Sequence, residues 1–138
     1  MHSRLGRLYI WAIIVCLNFL SMTIYATAIE SWFLGEKEYR FFRDPQNNAL
    51  LSIDCIDKKC DAKNELAKIT FKGLKSEAFA GGKNPGAVLC HQSVNKGNVV
   101  FLRDKNGNDN SFCVFADKSM TSSSTLTIFA RKNDENKK

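Results

Sequence analysis

The residues best suited to chemistry in this sequence are its five cysteines, which are Cys16, Cys55, Cys60, Cys90 and Cys113. A zinc site would use short Cys-x-x-Cys pairs or paired histidines, whereas four residues separate Cys55 from Cys60. A thioredoxin-like redox site would also require Cys-x-x-Cys at the start of a helix. We therefore expect no metal, no cofactor and no redox-active thiol at these positions.

The adjacent residues Cys90 and His91 suggest a nucleophile and its base. Neighbours on a helix point about 100° apart, however, so they cannot share the hydrogen bond that such a dyad needs. Ser122 to Ser124 lack a Gly-x-Ser-x-Gly motif and have only His91 as a candidate base, so we expect a flexible loop there. The sequence therefore predicts no catalytic residues and no enzyme.

The order Asp104-x-Asn106-x-Asn108 resembles the opening of a calcium-binding loop, with oxygen ligands at alternate positions. The sixth position of such a loop requires glycine, and here it holds Asp109. The twelfth position requires a bidentate glutamate, and here it holds Phe115. We expect an ordinary turn instead of a metal site.

The first 28 residues have the organisation of an export signal. Arg4 and Arg7 precede an apolar stretch from Leu8 to Leu20, and Ala26-Thr27-Ala28 supplies a small-x-small cleavage pattern. The alternative is an uncleaved signal anchor, because a membrane-spanning helix needs roughly 20 residues and the apolar stretch can be extended to Ile29. Both interpretations place the following residues outside the cytoplasm, in the periplasm, the cell envelope or the medium.

Loss of Cys16 with a cleaved signal would leave an even number of cysteines in an oxidising compartment. Two disulfides are then expected among Cys55, Cys60, Cys90 and Cys113. Four cysteines allow three pairings. We favour Cys55 with Cys60 and Cys90 with Cys113, because the members of each pair are close in sequence.

The charge of the chain does not identify a partner. Cleavage after Ala28 would remove Arg4 and Arg7 and no acidic residue, which lowers the formal net charge from +6 to +4. The remaining lysines are scattered, without the clustered cations and aromatic residues that bind nucleic acid. We expect an unknown protein or a cell-envelope component as partner, no nucleic acid, and membrane contact only through an uncleaved N-terminal segment.

Several segments have the composition or the alternation of β-strands. Residues 67–74 alternate most clearly between apolar and polar side chains. An Asn-Gly turn within 104–110 separates two strand-like runs and predicts a hairpin. Further strands are expected at 37–44, 50–56 and 125–131.

One helix is predicted, beginning after Asn84. Asn84 is a favourable N-cap residue, and Pro85 suits the first helical position. Residues 29–131 would then form a single α+β domain that is cross-linked by disulfides. It would consist of a small antiparallel sheet with one helix packed on it. The polar residues 132–138 are expected to form a disordered tail.

The region around this helix and hairpin resembles a family of small exported bacterial proteins, the domain of unknown function 333, whose members are often labelled haemolysins. The family's helix opens with Asn-Pro-Ala-Ala-x-x-Cys, and the segment from Asn84 to Cys90 stands in that place. The hairpin turn at Asp104 to Asn110 also matches. The family's Cys-x-Phe-Pro-Asp-Gly corresponds to the segment from Cys113 to Lys118.

This resemblance covers about residues 82–131 and has clear departures. Ala116 and Lys118 replace the family's proline and glycine, and its later Cys-x-x-Trp segment is absent between Ser122 and Phe129. The resemblance implies export and a compact cystine-linked fold. The leading hypothesis is a non-enzymatic extracytoplasmic binding module, and the alternative is a membrane-active, haemolysin-like secreted protein.

Overall fold

A computed structural model describes residues 28–93 and 96–137 of the protein. The export segment expected at 1–28 therefore lies outside the described residues, apart from Ala28. Within the described ranges, no helix is both long enough and apolar enough to cross a membrane.

Six antiparallel strands close into a barrel with the strand order β1-β2-β3-β6-β5-β4. The strands are β1 Ile29–Leu34, β2 Lys37–Arg43, β3 Leu50–Ser52, β4 Asn98–Asp104, β5 Asp109–Val114 and β6 Met120–Ser122. Pairing of β1 with β4 closes the barrel, with Trp32 opposite Asp104 and Phe33 opposite Arg103. The expected antiparallel sheet is present, but it forms a closed barrel.

Two hairpins follow from local turn chemistry. Gly35 has φ 60° in the two-residue connection between β1 and β2, a backbone conformation that favours glycine. The hairpin predicted around Asn106-Gly107 is confirmed, because β4 and β5 pair from Asn98 opposite Val114 to Arg103 opposite Asp109.

In the described part of the chain, three α-helices pack outside the barrel: α1 Asp61–Leu66, α2 Pro85–Gln92 and α3 Ser123–Glu135. The expectation of a single helix is therefore wrong, although the α+β class holds. The predicted start of α2 is confirmed, since the Asn84 side chain accepts hydrogen bonds from Gly86 N at 2.9 Å and Ala87 N at 3.4 Å. Gly86 is required where α2 meets α3, because a Cβ there would lie 1.9 Å from Ser123 O.

The strand predicted at residues 67–74 is wrong. Ile69 is buried and Phe71 is half-buried, as their alternation indicates, but the segment forms turns after α1. Its backbone groups bond to α3 instead of to a neighbouring strand: Asn133 Nδ2 donates to Ile69 O at 2.8 Å, and Phe71 N donates to Asp134 Oδ2 at 3.0 Å.

The strand predicted at residues 125–131 is also wrong, because this segment lies within α3. Its buried residues Leu126 and Ala130 are four apart, which is helical spacing, and Ser122 caps the helix by accepting from Thr125 N. The helix continues through residues 132–135, within the segment for which the sequence predicts a disordered tail. Of the described residues, Asn136 and Lys137 follow it.

The barrel strands contribute neighbouring residues to two separate cores, because successive side chains point to opposite faces of a sheet. The barrel core, inside the barrel, consists of Phe41, Leu50, Leu102, Phe112 and Met120. The helix-side core includes Phe42, Leu51, Cys113, Leu89 and Leu126. Both disulfides lie in the helix-side core, and they join Cys55 to Cys60 and Cys90 to Cys113, with Cα separations of 5.5 and 5.6 Å. This is the pairing that the sequence favours.

Candidate binding site at the open end of the barrel

The structure does not bring the candidate catalytic residues of the sequence together. Cys90 is buried and bonded to Cys113, whereas His91 is exposed on α2. Ser122 lies at the end of β6, where its Oγ is 2.8 Å from Thr125 Oγ1 and 3.0 Å from Ser124 Oγ. The flexible loop expected at these serines is therefore wrong, because they form the start of α3, where the Ser122 and Ser124 hydroxyls are hydrogen-bonded and the Ser123 hydroxyl is buried without a hydrogen-bond partner.

The Asp104-x-Asn106-x-Asn108 motif is a self-contained turn. Asp104 Oδ1 accepts hydrogen bonds from Asn106 N at 2.8 Å and Asn108 N at 2.9 Å, and Oδ2 accepts from Asn108 Nδ2 at 2.8 Å. The hydrogen bonds from Asn108, led by the one from its side chain, lower the pKa of Asp104. Among the described residues, no three His, Cys, Asp or Glu side chains are placed to hold a metal ion.

The cavity with the clearest ligand-binding character is the open end of the barrel, which we call the mouth. It has a volume of about 600 Å³ and is bordered by the starts of β2, β4 and β6 and by the end of β5. The lining residues are Lys37, Tyr39, Lys96, Asn98, Val100, Val114, Phe115, Ala116, Lys118 and Met120. Barrel mouths are frequent sites for small ligands.

The walls of the mouth are apolar and its floor is closed. Val100, Val114 and Tyr39 are partly buried and pack against the barrel core. Below them, Phe41 and Phe112 have no exposed surface, and their ring centroids lie 4.6 Å apart. The mouth is therefore a cup instead of a channel, because side chains fill the interior of the barrel beneath it.

Three lysines and no acidic residue line this cup. Lys37 Nζ lies 4.8 Å from the centroid of the Tyr39 ring, a cation–π distance. Lys96 and Lys118 come from the segments before β4 and between β5 and β6, and both have left-handed backbones, with φ 36° and 69°. Within the described part of the chain, the salt bridges are Arg43 with Glu30 and Arg103 with Asp109, so none of these lysines forms one.

Three acidic residues are next to these lysines in sequence, Glu36, Glu38 and Asp117, and the last two accept hydrogen bonds away from the lysines. Glu38 follows Lys37, but its Oε1 accepts a hydrogen bond from Ser31 Oγ at 2.6 Å on the neighbouring strand. Asp117 precedes Lys118, but its Oδ2 accepts from Asp61 N at 2.8 Å, at the first residue of α1. Neither carboxylate lines the mouth, and neither forms a salt bridge with the lysine beside it.

Asp117 is a structural residue of the β5–β6 connection. Its Oδ1 accepts hydrogen bonds from Ser119 N at 2.9 Å and Ser119 Oγ at 2.5 Å, and Ser119 Oγ accepts in turn from Ala62 N at 2.9 Å. Partial burial by itself raises the pKa of Asp117, but these hydrogen bonds outweigh it and hold the pKa below its ordinary value. The ionised carboxylate therefore ties the edge of the mouth to α1.

A second surface, which we call the outer groove, lies on the outside of β1 and β4. Phe33, Leu34, Phe101 and Arg103 are among the residues that line it. Phe101 is 68 % exposed and Leu34 is 50 % exposed, both high for large apolar side chains. Arg103 and Asp109 form a two-contact salt bridge beside them, at 2.8 and 3.0 Å.

Sequence reasoning did not identify the mouth. Its lysines lie far apart in the sequence, in segments that only the closure of the barrel brings together, and no motif connects them. No protein-family model matches the chain, and no curated protein or solved structure does either. These comparisons leave the resemblance to the domain of unknown function 333 as a prediction from the sequence.

Proposed function

We propose that this protein is a non-enzymatic extracytoplasmic binding module and that the mouth of the barrel is its binding site. The observation that carries the proposal is the combination, in one cup of about 600 Å³, of apolar walls with three lysines and no carboxylate. Such a volume is typical of small-molecule sites, which span roughly 300 to 1,000 Å³. A cavity with excess charge of one sign favours a ligand of the opposite sign.

The extracytoplasmic setting is supported by the two disulfides, because such bonds persist in oxidising compartments and are rare in the cytosol. Two cystines also suit a small secreted domain, whose hydrophobic cores are limited in size. The export segment at 1–28 remains the sequence prediction that agrees with this setting.

The binding role, as opposed to catalysis, is supported by the chemistry of the mouth. Its polar lining residues are lysines, Asn98 and the hydroxyl-bearing Tyr39, which can hold an anion. Hydrolysis by a serine or cysteine nucleophile needs an adjacent base, and the lining contains no Ser, Cys, His, Asp or Glu. His91, the one histidine among the described residues, is exposed on α2 and is not among the lining residues.

Photo-crosslinking tests this proposal directly. A photoreactive residue at Asn98, on the rim of the mouth, should form an adduct when the oxidised protein is exposed to cell-envelope extract. Combining it with Lys37→Gln and Lys118→Gln should abolish the adduct, because the substitutions remove two of the three charges. The matched control carries the photoreactive residue at Asn106, in the β4–β5 turn. Equal capture at both positions, or capture at Asn98 that does not depend on the lysines, would contradict the proposal.

The membrane-active alternative has one observation in its favour, the exposed apolar side chains of the outer groove. Phe101 and Leu34 could enter the interfacial region of a bilayer, as exposed aromatic and aliphatic residues of peripheral proteins do. In this case the oxidised protein should release dye from anionic liposomes, and Phe101→Ser should abolish release. Ile128→Ser is the matched control, because Ile128 is 62 % exposed on α3. Intact liposomes in the presence of the wild-type protein would exclude this alternative.

A further inference from the structure

We infer that the ligand of the mouth is an anionic amphiphile, with one carboxylate or phosphate head group and a short apolar body. The inference rests on the proposed function, since it identifies the ligand class of the same site. It follows from the arrangement of charge, apolar wall and closed floor within the cup.

The lysines on the rim of the mouth indicate that the head group of the ligand is an anion. Lys37, Lys96 and Lys118 belong to three different segments around one opening, and no acidic side chain is among the ten residues that line it. An ammonium group is a compact charge with three rotatable donors, which accommodates either a carboxylate or a phosphate. Asn98 adds an amide donor on the same rim.

The apolar side chains in the walls of the mouth indicate that the rest of the ligand is apolar. Tyr39, Val100, Val114 and Met120 present ring, methyl and thioether groups toward the cavity, and all four belong to or pack against the barrel core. A simple inorganic anion would leave this apolar surface in contact with water. An apolar body of matching size would cover it, at about 25 cal/mol for each Å² removed from water.

The length of the body is limited by the floor. Phe41, Leu102 and Phe112 are fully buried beneath the walls, and Trp32 packs against Phe112 with ring centroids 5.1 Å apart. A long acyl chain could not pass through the barrel without displacing these rings. The cup therefore suits a short body, such as an octyl chain or a single aromatic ring, with its charged end at the lysines.

The test uses octanoate, octyl phosphate and octanol as probes, titrated into the oxidised protein and followed by amide and methyl NMR shifts. We expect saturable shifts at Val100, Val114 and Met120 with octanoate, octyl phosphate or both, and at least tenfold weaker binding of octanol, which has the same body without charge. Acetate, which has the charge without the body, should also bind at least tenfold more weakly.

Variants of matched charge complete the test. Lys37→Gln with Lys118→Gln should weaken binding of the anionic probe by about tenfold or more, because a hydrogen bond to a charged group is lost at each position. Lys105→Gln with Lys132→Gln changes the net charge equally, at exposed positions that do not line the mouth, and should leave affinity within twofold.

Three results would overturn the inference: no saturable shift with either anionic probe, octanol binding as tightly as octanoate, or equal weakening by both pairs of substitutions. These results are distinguishable from a failure of the proposed function. If the photoreactive residue at Asn98 still forms its lysine-dependent adduct while both probes fail to bind, the mouth is a binding site for a different chemical class. If both experiments fail, the mouth is not a binding site.

Discussion

Gly97 packs against the Cys90–Cys113 disulfide so closely that its substitution should depend on the presence of the sulfurs. A Cβ at this position would lie 2.2 Å from Cys113 Sγ and 2.8 Å from Cys90 Sγ. Non-bonded heavy atoms approach to about 3.5–4.0 Å. Gly97→Ala therefore forces a displacement of more than about 1 Å in a buried region, which typically costs about 1–3 kcal/mol.

Gly97→Ala should change the free energy of unfolding very little when Cys90 and Cys113 are both replaced by alanine. The nearest remaining atom would be the carbonyl oxygen of residue 90, at 3.3 Å from the new Cβ, a tight contact that a small adjustment relieves. Gly97 does not have the positive φ that disfavours alanine. Alanine at such a site can even stabilise by about 0.4–1 kcal/mol through the unfolded state. We therefore expect a coupling free energy of about 1–4 kcal/mol between position 97 and the disulfide.

The assay is urea unfolding of four proteins, namely wild type, Gly97→Ala, the double cysteine-to-alanine variant at 90 and 113, and their combination. Loss of this disulfide, whose cysteines are 23 residues apart, should itself cost about 3 kcal/mol. The measurements are therefore made at a temperature where circular dichroism shows that all four proteins are folded.

A second background serves as the control for this cycle. Alanine at positions 55 and 60 also removes a disulfide, but one that does not contact Gly97, so the cost of Gly97→Ala should be unchanged there. Equal costs of Gly97→Ala in all three backgrounds, within the 0.3–0.5 kcal/mol of ordinary additivity, would refute the packing argument.

Three further predictions concern contacts between elements. Gly86→Ala should destabilise by at least about 1–3 kcal/mol in urea unfolding, despite alanine's higher helix propensity, because its Cβ would meet the backbone of Ser123 at 1.9 Å; an unchanged midpoint would contradict the α2–α3 contact. The lowered pKa of Asp117 means that its stabilisation is complete above the unfolded pKa and is lost as the pH falls through the lower folded pKa. The difference in unfolding free energy between wild type and Asp117→Asn should therefore become smaller as the pH is lowered from 7 to below about 4. A difference that does not change with pH would contradict the stabilising role of the ionised Asp117 carboxylate. Asn133→Ala should destabilise the protein by about 1–3 kcal/mol and speed amide exchange in the segment after α1, because it removes the donor to Leu66 O at 3.0 Å and to Ile69 O at 2.8 Å. Unchanged amide exchange would show that Asn133 does not hold this segment.

The elements that could be predicted from the sequence are those whose signals are local. Asn84 and Pro85 define the start of α2 by capping alone, and the Asn106-Gly107 turn defines the β4–β5 hairpin. The cysteine pairing also followed from proximity in sequence. These features need no information about which distant segments become neighbours.

The predictions that were wrong concern segments whose structure depends on tertiary contacts. Ile69 and Phe71 alternate like a strand, but their backbone partners are side chains of α3, and no local pattern specifies such partners. Thr125 and Ile128 favour a strand by β-propensity, whereas the burial of Leu126 and Ala130 on one helical face decides the outcome. The closure of β1 on β4 is equally non-local, and the mouth follows from that closure.

The disulfide and the candidate site are connected through the same glycine. Lys96 and Asn98, which line the mouth, flank Gly97, and Val114, which also lines it, follows Cys113. Gly97 N donates to Cys90 O at 2.9 Å, so the Cys90–Cys113 bond and this hydrogen bond hold both segments against α2. We therefore expect the folded variant with alanine at positions 90 and 113 to bind octanoate at least about fivefold more weakly than wild type, because Lys96 and the wall at Val114 lose their common support. Isothermal titration calorimetry measures this difference, and an unchanged affinity would show that the mouth is positioned by the barrel strands alone.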